Sequence, residues 1–289
     1  MKLRFLTFAL LTMLILALSA CALESAPNAV VQERATVQGT ATVTFLDVGQ
    51  GDSTLIQTKN SAMLIDGGVR GAYEHILETL HRSGIYHLAY VVATHPHADH
   101  IGGLVPLIGN NNGISIGAVI MPNVAHTTRT YENFLTALIA NDIHVIEPYA
   151  GKIIGLDDVI FTVIGPVSSG HRNLNNYSIV LVMDHGYNSF MFTGDAEHES
   201  EYEILDTFED ISVDVLRVAH HGSRTSSSAA FLDAAAPRYA VISAGLDNQY
   251  GHPHNVILNR LNERGIETLI TFELGDIIMV SDGTTIEVR

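Results

Sequence analysis

The chain has 289 residues, with 15 Lys and Arg against 31 Asp and Glu, a formal net charge of −16, and one cysteine. A single cysteine excludes an intrachain disulfide. So acidic a surface repels polyanions at long range, which disfavours a general nucleic-acid coat protein.

Lys2 and Arg4 precede an apolar run, Phe5 to Ala17, which ends in Leu18-Ser19-Ala20-Cys21. The run is too short to span a bilayer and reads as a signal core. Residues 1–20 are therefore expected to be a lipoprotein signal peptide, with Cys21 lipidated. An ordinary cleaved leader and a transmembrane anchor are the alternatives. Residues 21–38 lack sustained periodicity and suit a lipidated tether. Losing Lys2 and Arg4 with the leader would take the net charge from −16 to −18. Residues 39–289 have the length of one layered domain and hold no further spanning run, so the expectation is a stand-alone, membrane-anchored, extracytoplasmic lipoprotein.

Strands are expected at 41–47, 53–58, 62–66 and 89–93, with Gly and Asn at the turns. Apolar spacing predicts helices over 73–83 and 131–141, and another beginning near 101–105. Strands follow at 159–164, 178–183 and 189–193, a helix at 197–208, a strand at 213–219 and a helix at 226–235. A strand at 239–243, a helix at 255–264 and strands at 267–272, 276–280 and 285–288 complete the chain. Two antiparallel-rich halves with helices outside predict an α/β fold, a four-layer αββα sandwich.

The chemistry concentrates at His95-Pro96-His97-Ala98-Asp99-His100, between a buried strand and Gly102-Gly103. Side chains two apart on an extended loop share a face, so His95, His97 and Asp99 can converge, and His100 enters from the first helical turn. Imidazole with carboxylate is a ligand set for a divalent metal. Asp195 ends a strand in Phe192-Thr193-Gly194-Asp195, where it can bridge two metals or cap the helix that follows. His220 and His221 end another strand. Adjacent side chains on an extended segment point opposite ways, so one of them is expected to bind metal. His252 and His254 sit in a short loop and offer a third cluster member, a proton donor or a plain loop.

Seven stretches in this order resemble the metallo-β-lactamase superfamily, and within it the ComEC-like branch of DNA-uptake proteins. They are Phe45–Ser53 (FLDVGQGDS), Leu64–Gly68 (LIDGG), Thr94–His100 (THPHADH), Asn175–Ser178 (NNYS), Phe192–Asp195 (FTGD), Ala219–Ser223 (AHHGS) and Gly251–His254 (GHPH). The resemblance covers roughly residues 41–289. It implies His95 and His97 as ligands of a first metal, Asp99 and His100 as ligands of a second, and Asp195 as the bridge. His221 would be the last ligand of the second metal, with His220 its rival, and Asp66 would brace the His loop. Many superfamily hydrolases carry a further ligand His where this chain has Asn175-Asn176-Tyr177-Ser178; His171, four residues earlier, is a substitute. An amide is a poor zinc ligand, so the first ion is expected to be weak, exchangeable, or manganese.

The function expected is hydrolysis of phosphodiesters by two divalent ions, Zn²⁺ or Mn²⁺, outside a membrane, with nucleic acid as substrate. Asp99 would orient the attacking water, and His252 or the free member of the His220/His221 pair would protonate the leaving oxygen. Asp52, Ser53, Asn176, Ser178, Ser223 and His254, with backbone N–H groups of residues 49–53, would contact substrate. The rivals are a cell-envelope phosphodiesterase of phosphocholine or teichoic-acid type, and a non-catalytic lipoprotein that binds phosphorylated ligands. A β-lactamase is disfavoured by the missing His.

Overall fold

The computed structural model describes Val37 and residues 39–289. The expected leader, Cys21 and almost all of the tether lie outside the described residues.

Six strands open the chain: β1 Ala41–Phe45, β2 Thr54–Gln57, β3 Ala62–Ile65, β4 His87–Val92, β5 Ser115–Ile120 and β6 His144–Ile146. With β14 (Ile277–Ser281) and β15 (Ile286–Val288) they form an eight-stranded sheet, ordered β15-β14-β1-β2-β3-β4-β5-β6. The seven-stranded second sheet comprises β7 Ile153–Leu156, β8 Val159–Gly165, β9 Val180–His185, β10 Asn188–Phe192, β11 Val215–Arg217, β12 Tyr239–Ile242 and β13 Glu267–Ile270, ordered β13-β12-β11-β10-β9-β8-β7. Each sheet is mixed. β3 to β6 run parallel, as do β10 to β13, and the remaining pairings are antiparallel.

Alternation along each strand builds the layers. Met63 and Ile65 of β3 face the second sheet, in a core with Phe45, Phe161, Phe190 and Phe192. Ala62 and Leu64 of the same strand face outward, onto α1 (Tyr73–Arg82), α2 (Ala98–Ile101), α3 (Leu104–Gly109) and α4 (Arg129–Ala140). In the second sheet Phe190 and Phe192 point inward, while Met191 packs outward among residues of α5 (His198–Thr207), α6 (Ala229–Ala235) and α7 (Asn255–Glu263). Because both faces are covered, the strands read as nearly continuous apolar runs. The expected αββα sandwich is the observed fold.

Three strands, β5, β6 and β7, lie outside the sequence expectation. The expected strand 267–272 ends at Ile270, and α8 (Thr271–Leu274) follows. The helix expected from 226 begins only at Ala229. Glu201, a buried residue of α5, accepts the backbone N–H groups of Ser227 and Ser228, and Ser227 is left-handed at φ 51°. Ser228 then caps the helix through Phe231 N, 3.2 Å away. The antiparallel steps from β1 to β3 bring the loops after β1, β3 and β4 to one end of the first sheet. The loops after β10, β11 and β12 meet at the carboxyl ends of parallel strands, where open α/β sheets place their sites.

Candidate metal centre

The His loop leaves β4 at Val92, and its frame is Asp66, which follows β3. Asp66 is fully buried with φ 58°, a left-handed backbone that costs free energy in a non-glycine residue. Its Oδ1 accepts from Thr94 N (2.8 Å), and its Oδ2 accepts from Thr94 Oγ1 (2.7 Å) and lies 2.7 Å from His100 Nδ1. Close backbone packing holds the loop from the other side. A Cβ on Gly51 would come within 2.6 Å of Asp99 O, a contact that real Cβ atoms do not make.

Two groups of ligand-type atoms result. The first comprises Asp99, His100, Asp195 and His221; the second comprises His95, His97 and Asp195. Asp195 belongs to both. Its Oδ1 is 3.2 Å from His100 Nε2 and 3.6 Å from His221 Nε2, while its Oδ2 is 3.8 Å from His95 Nε2. Asp99 Oδ2 is 3.4 Å from His221 Nε2. A third acidic group, Asp52, Asp66 and His100, lies directly beneath.

The residues fit a divalent cation. His100 Nε2, His221 Nε2 and Asp195 Oδ1 are all buried, have no hydrogen-bond partner, and point at one another. Leaving three such groups unpaired is costly, and a cation among them satisfies all three. The far nitrogens of both rings are tied. His221 Nδ1 lies 2.8 Å from Ser243 O, which can only accept, so Nδ1 carries the proton and Nε2 presents its lone pair. Arg217 Nη2 is a longer neighbour at 3.3 Å. His100 Nδ1 donates to Asp66 in the same manner, the arrangement that orients metal-bound histidines.

The electrostatics agree. Burial would raise the Asp195 carboxyl, but His100 and His221 hold it well below the usual carboxylate range. Burial would lower His100, yet Asp195 and Asp66 keep it well above an ordinary imidazole. A metal at Nε2 therefore displaces a proton. His95 is pushed well down by burial and then by His100, so it is a neutral ligand.

The cleft over these atoms is about 370 Å³ and is walled by Gln50, His97, Ala98, Asp99, His126, Thr128, Asn175, Asp195, His220, His221, Tyr250 and His252. Among the described residues, no Lys or Arg lines it.

Several expected contacts lie elsewhere. Asp52 pairs with buried Arg217 (2.9 Å), whose Nη1 donates to Gly194 O (2.6 Å) and steadies the Asp195 turn. Ser53 Oγ donates to Asp66 O. Ser178 Oγ accepts from Asp195 N (3.0 Å) beside His95 Nδ1 (3.3 Å). Ser223 is buried against Thr225, and His254 Nδ1 accepts from Arg224 N. None of the five walls the cleft. Asn176 is also turned away: it accepts from Glu197 N and donates to Glu199, and its neighbour Asn175 faces the cleft instead. His171 sits between Glu199 and Glu203, 3.5 Å from each, outside both ligand groups. Asp195 is not a helix cap, because α5 is capped at Glu197.

His220 and His221 are not on an extended segment. Both are left-handed, at φ 53°, in a tight turn. His221 joins the first ligand group. His220 sits outside both groups, with Nε2 3.7 Å from Asp195 Oδ2 and Nδ1 3.3 Å from Glu197, which helps hold its pKa up against burial. His252 is pushed down to about 4 by burial and by the neighbouring His221, His220 and His254. Asn248 Oδ1 shapes its loop by accepting from Tyr250 N and His252 N.

Residues 46–245 match the family model described as the metallo-beta-lactamase superfamily. The chain belongs to that superfamily. Among curated proteins it is 31% identical to ComE operon protein 3 of Bacillus subtilis over 81% of this chain and 32% of that protein. It is 33% identical to competence protein ComA of Neisseria gonorrhoeae over 80% of this chain and 31% of that one. These relatives place the domain in the ComEC-like competence branch. The chain spans about a third of the length of the curated relatives it matches. Among solved structures, the metallo-beta-lactamase fold protein YhfI from Bacillus subtilis shares the fold, with TM-score 0.59 and 13% identity over 83% of this chain and all of that one. The superfamily implies divalent metal binding, and the His/Asp groups above are the residues that fit it.

Proposed function

We propose that the protein is a metal-dependent phosphodiester hydrolase acting on nucleic acid at the outer side of a membrane. The observation that carries this reading is the sharing of Asp195 between two ligand groups beneath one open cleft. Asp99, His100, Asp195 and His221 would hold one ion, and His95, His97 and Asp195 the other, zinc or manganese. Bound there, the ions would supply Lewis-acid polarisation of the phosphoryl oxygens and a water acidic enough to attack at neutral pH. Asp99, with its carboxylate beside His221 Nε2, would help hold that ion and orient the attacking water. His220, backed by Glu197, delivers a proton to the leaving oxygen. His252 is neutral at pH 7 and packs over His220 and His221 as part of the wall. Relatives named for competence support nucleic acid as the substrate class.

A cell-envelope phosphodiester is the second reading, favoured by a cleft wall without Lys or Arg and by the net charge of −16. Long DNA gains affinity from many cationic contacts, and here 15 Lys and Arg stand against 31 Asp and Glu. Metal-depleted protein reconstituted with Zn²⁺ or Mn²⁺ is to be assayed on DNA, a glycerophosphodiester polymer and a β-lactam. Metal-restored cleavage of DNA is expected. Cleavage of the polymer alone selects the second reading, and β-lactam cleavage alone rejects both.

We place the domain outside the membrane on the Leu18–Cys21 pattern, with Cys21 as the lipid anchor. Cys21→Ser should release the protein from the membrane fraction. Retention of the variant after leader cleavage would assign the anchor elsewhere.

A further inference from the structure

Among the described residues no Lys or Arg lines the cleft, so apart from the metals and His220 the grip on a phosphoryl oxygen has to come from neutral donors. Two amides and two hydroxyl-bearing side chains line it: Gln50, Asn175, Thr128 and Tyr250. The Asn175 amide nitrogen is engaged by Glu197 Oε1 at 3.1 Å. Thr128 Oγ1 caps α4 through Tyr131 N. Tyr250 is more than half exposed.

Gln50 differs from all three. Its Oε1 accepts from Gly245 N at 3.1 Å. A main-chain N–H can only donate, so the two ends of the amide are assigned by chemistry. Nε2 is then held in one orientation, is shielded from solvent, and has no hydrogen-bond partner. Its loop lies against the His loop: Asp52 N donates to Asp99 O at 3.1 Å, and Gly51 packs on the same carbonyl. Gly245 belongs to the loop after β12, so this one hydrogen bond also ties the two sheets' loops across the cleft. A Cβ on Gly245 would come within 2.7 Å of Gln50 N, so the approach requires glycine.

We propose that the Gln50 side-chain amide donates to a non-bridging oxygen of the substrate's phosphoryl group. The proposal rests on the phosphodiesterase reading and adds a residue to it. Fixed neutral donors aimed where charge develops stabilise a transition state without reorganising. In a cleft already holding Asp99 and Asp195, such a donor also lets an anion in without another buried cation needing a partner.

Gln50→Glu is the discriminating variant. It keeps an oxygen that can accept from Gly245 N and replaces the donor with an anionic acceptor, so Gln50→Ala, which adds no charge, is its control. Gln50→Ala removes both. Whole protein loaded with Mn²⁺ is to be compared with both variants in metal content, inorganic phosphate affinity by calorimetry, and kcat/KM on bis(p-nitrophenyl) phosphate. The expectation is unchanged metal content, phosphate binding at least about 10-fold weaker in both variants, and kcat/KM lower by about 10²-fold in Gln50→Glu. Gln50→Glu behaving as wild type while Gln50→Ala is impaired would make Gln50 a loop clamp and overturn the proposal. Wild-type levels of phosphate binding and kcat/KM in both variants would overturn it as well. Wild type that binds phosphate but hydrolyses no phosphodiester would defeat the parent reading, while the phosphate affinities still decide Gln50.

Discussion

The two ligand groups that share Asp195 are built to different standards. In the group of Asp99, His100 and His221, each histidine has its far nitrogen tied to a group that accepts, Asp66 or Ser243 O, so both rings present Nε2 in one tautomer. In the group of His95 and His97, the far nitrogen of His95 meets only hydroxyls, Thr94 Oγ1 at 3.2 Å and Ser178 Oγ at 3.3 Å. Thr94 Oγ1 spends its proton on Asp66 and can only accept, while Ser178 Oγ can still donate, and both contacts are longer than the 2.7 and 2.8 Å that hold His100 and His221, so the tautomer of His95 is held less firmly. His95 Nε2 and His97 Nδ1 sit 2.9 Å apart and satisfy one another until a cation separates them. The first group therefore reads as a preorganised, tight site and the second as an exchangeable one, which relocates the weakness expected from Asn175 to the orientation of the ligands themselves.

The largest test removes what the two groups share. Asp195→Ala should lose both ions by elemental analysis and lower phosphodiester turnover by about 10³-fold or more, since the metals supply several kcal/mol of charge stabilisation. Full activity in this variant would end the two-metal account. Next, His221→Ala and His95→Ala separate the groups. His221→Ala should lose the tightly held ion, and His95→Ala should keep it through dialysis while losing the second. The reverse pattern would invert the comparison.

Asp66→Asn tests why the first group is tight. The amide can still accept from Thr94, but turning its nitrogen toward His100 Nδ1 sets donor against donor. The ring must then accept at Nδ1 and protonate Nε2, which disables the ligand. Affinity for the tight ion should fall by about 10- to 100-fold, measured by competition with a chromogenic chelator, with His95-dependent binding little changed. Equal weakening of both ions would mean that Asp66 supports the fold rather than one ring.

The sequence carried the ligands because their chemistry is local: six positions hold His95, His97, Asp99 and His100, and no distant contact is needed to see them. It carried the layers through alternation in strands such as β3 and β10. It did not carry β5, because Gly117 breaks the run and half the strand is exposed; that glycine lets β5 approach Ala89 O, 2.6 Å from where its Cβ would stand. Nor did it carry β6, three residues long and largely exposed at the sheet edge. Around the site, the motif at residues 49–53 suggests backbone donors, whereas Gln50 itself lines the cleft. Asn176 and Asn175 differ by one residue in a tight turn, and which of them faces the cleft depends on the Glu197 and Glu199 contacts made 21 to 23 residues later. Left-handed His220 and His221 invert the extended geometry their strand predicts, and no local rule signals that in a non-glycine pair.

The smallest expected effect sharpens the second group. Ser178→Ala deletes the hydroxyl beside His95 Nδ1 and the acceptor of Asp195 N. The turn itself stays held, because Gly194 O still accepts from Arg217 and from His220 N, and Ala196 N still reaches Thr193 O. One buried N–H loses its partner, which should cost about 1–3 kcal/mol of stability, read as a lower urea midpoint with unchanged slope. His95 loses one of its two hydroxyl neighbours and gains rotational freedom, so the exchangeable ion should bind about 3- to 10-fold more weakly. The tight ion should be unaffected, since neither Asp66 nor Ser243 touches Ser178. A matched loss at both ions would show that the Asp195 turn moved, and that the two groups answer to the bridge rather than to their separate histidines.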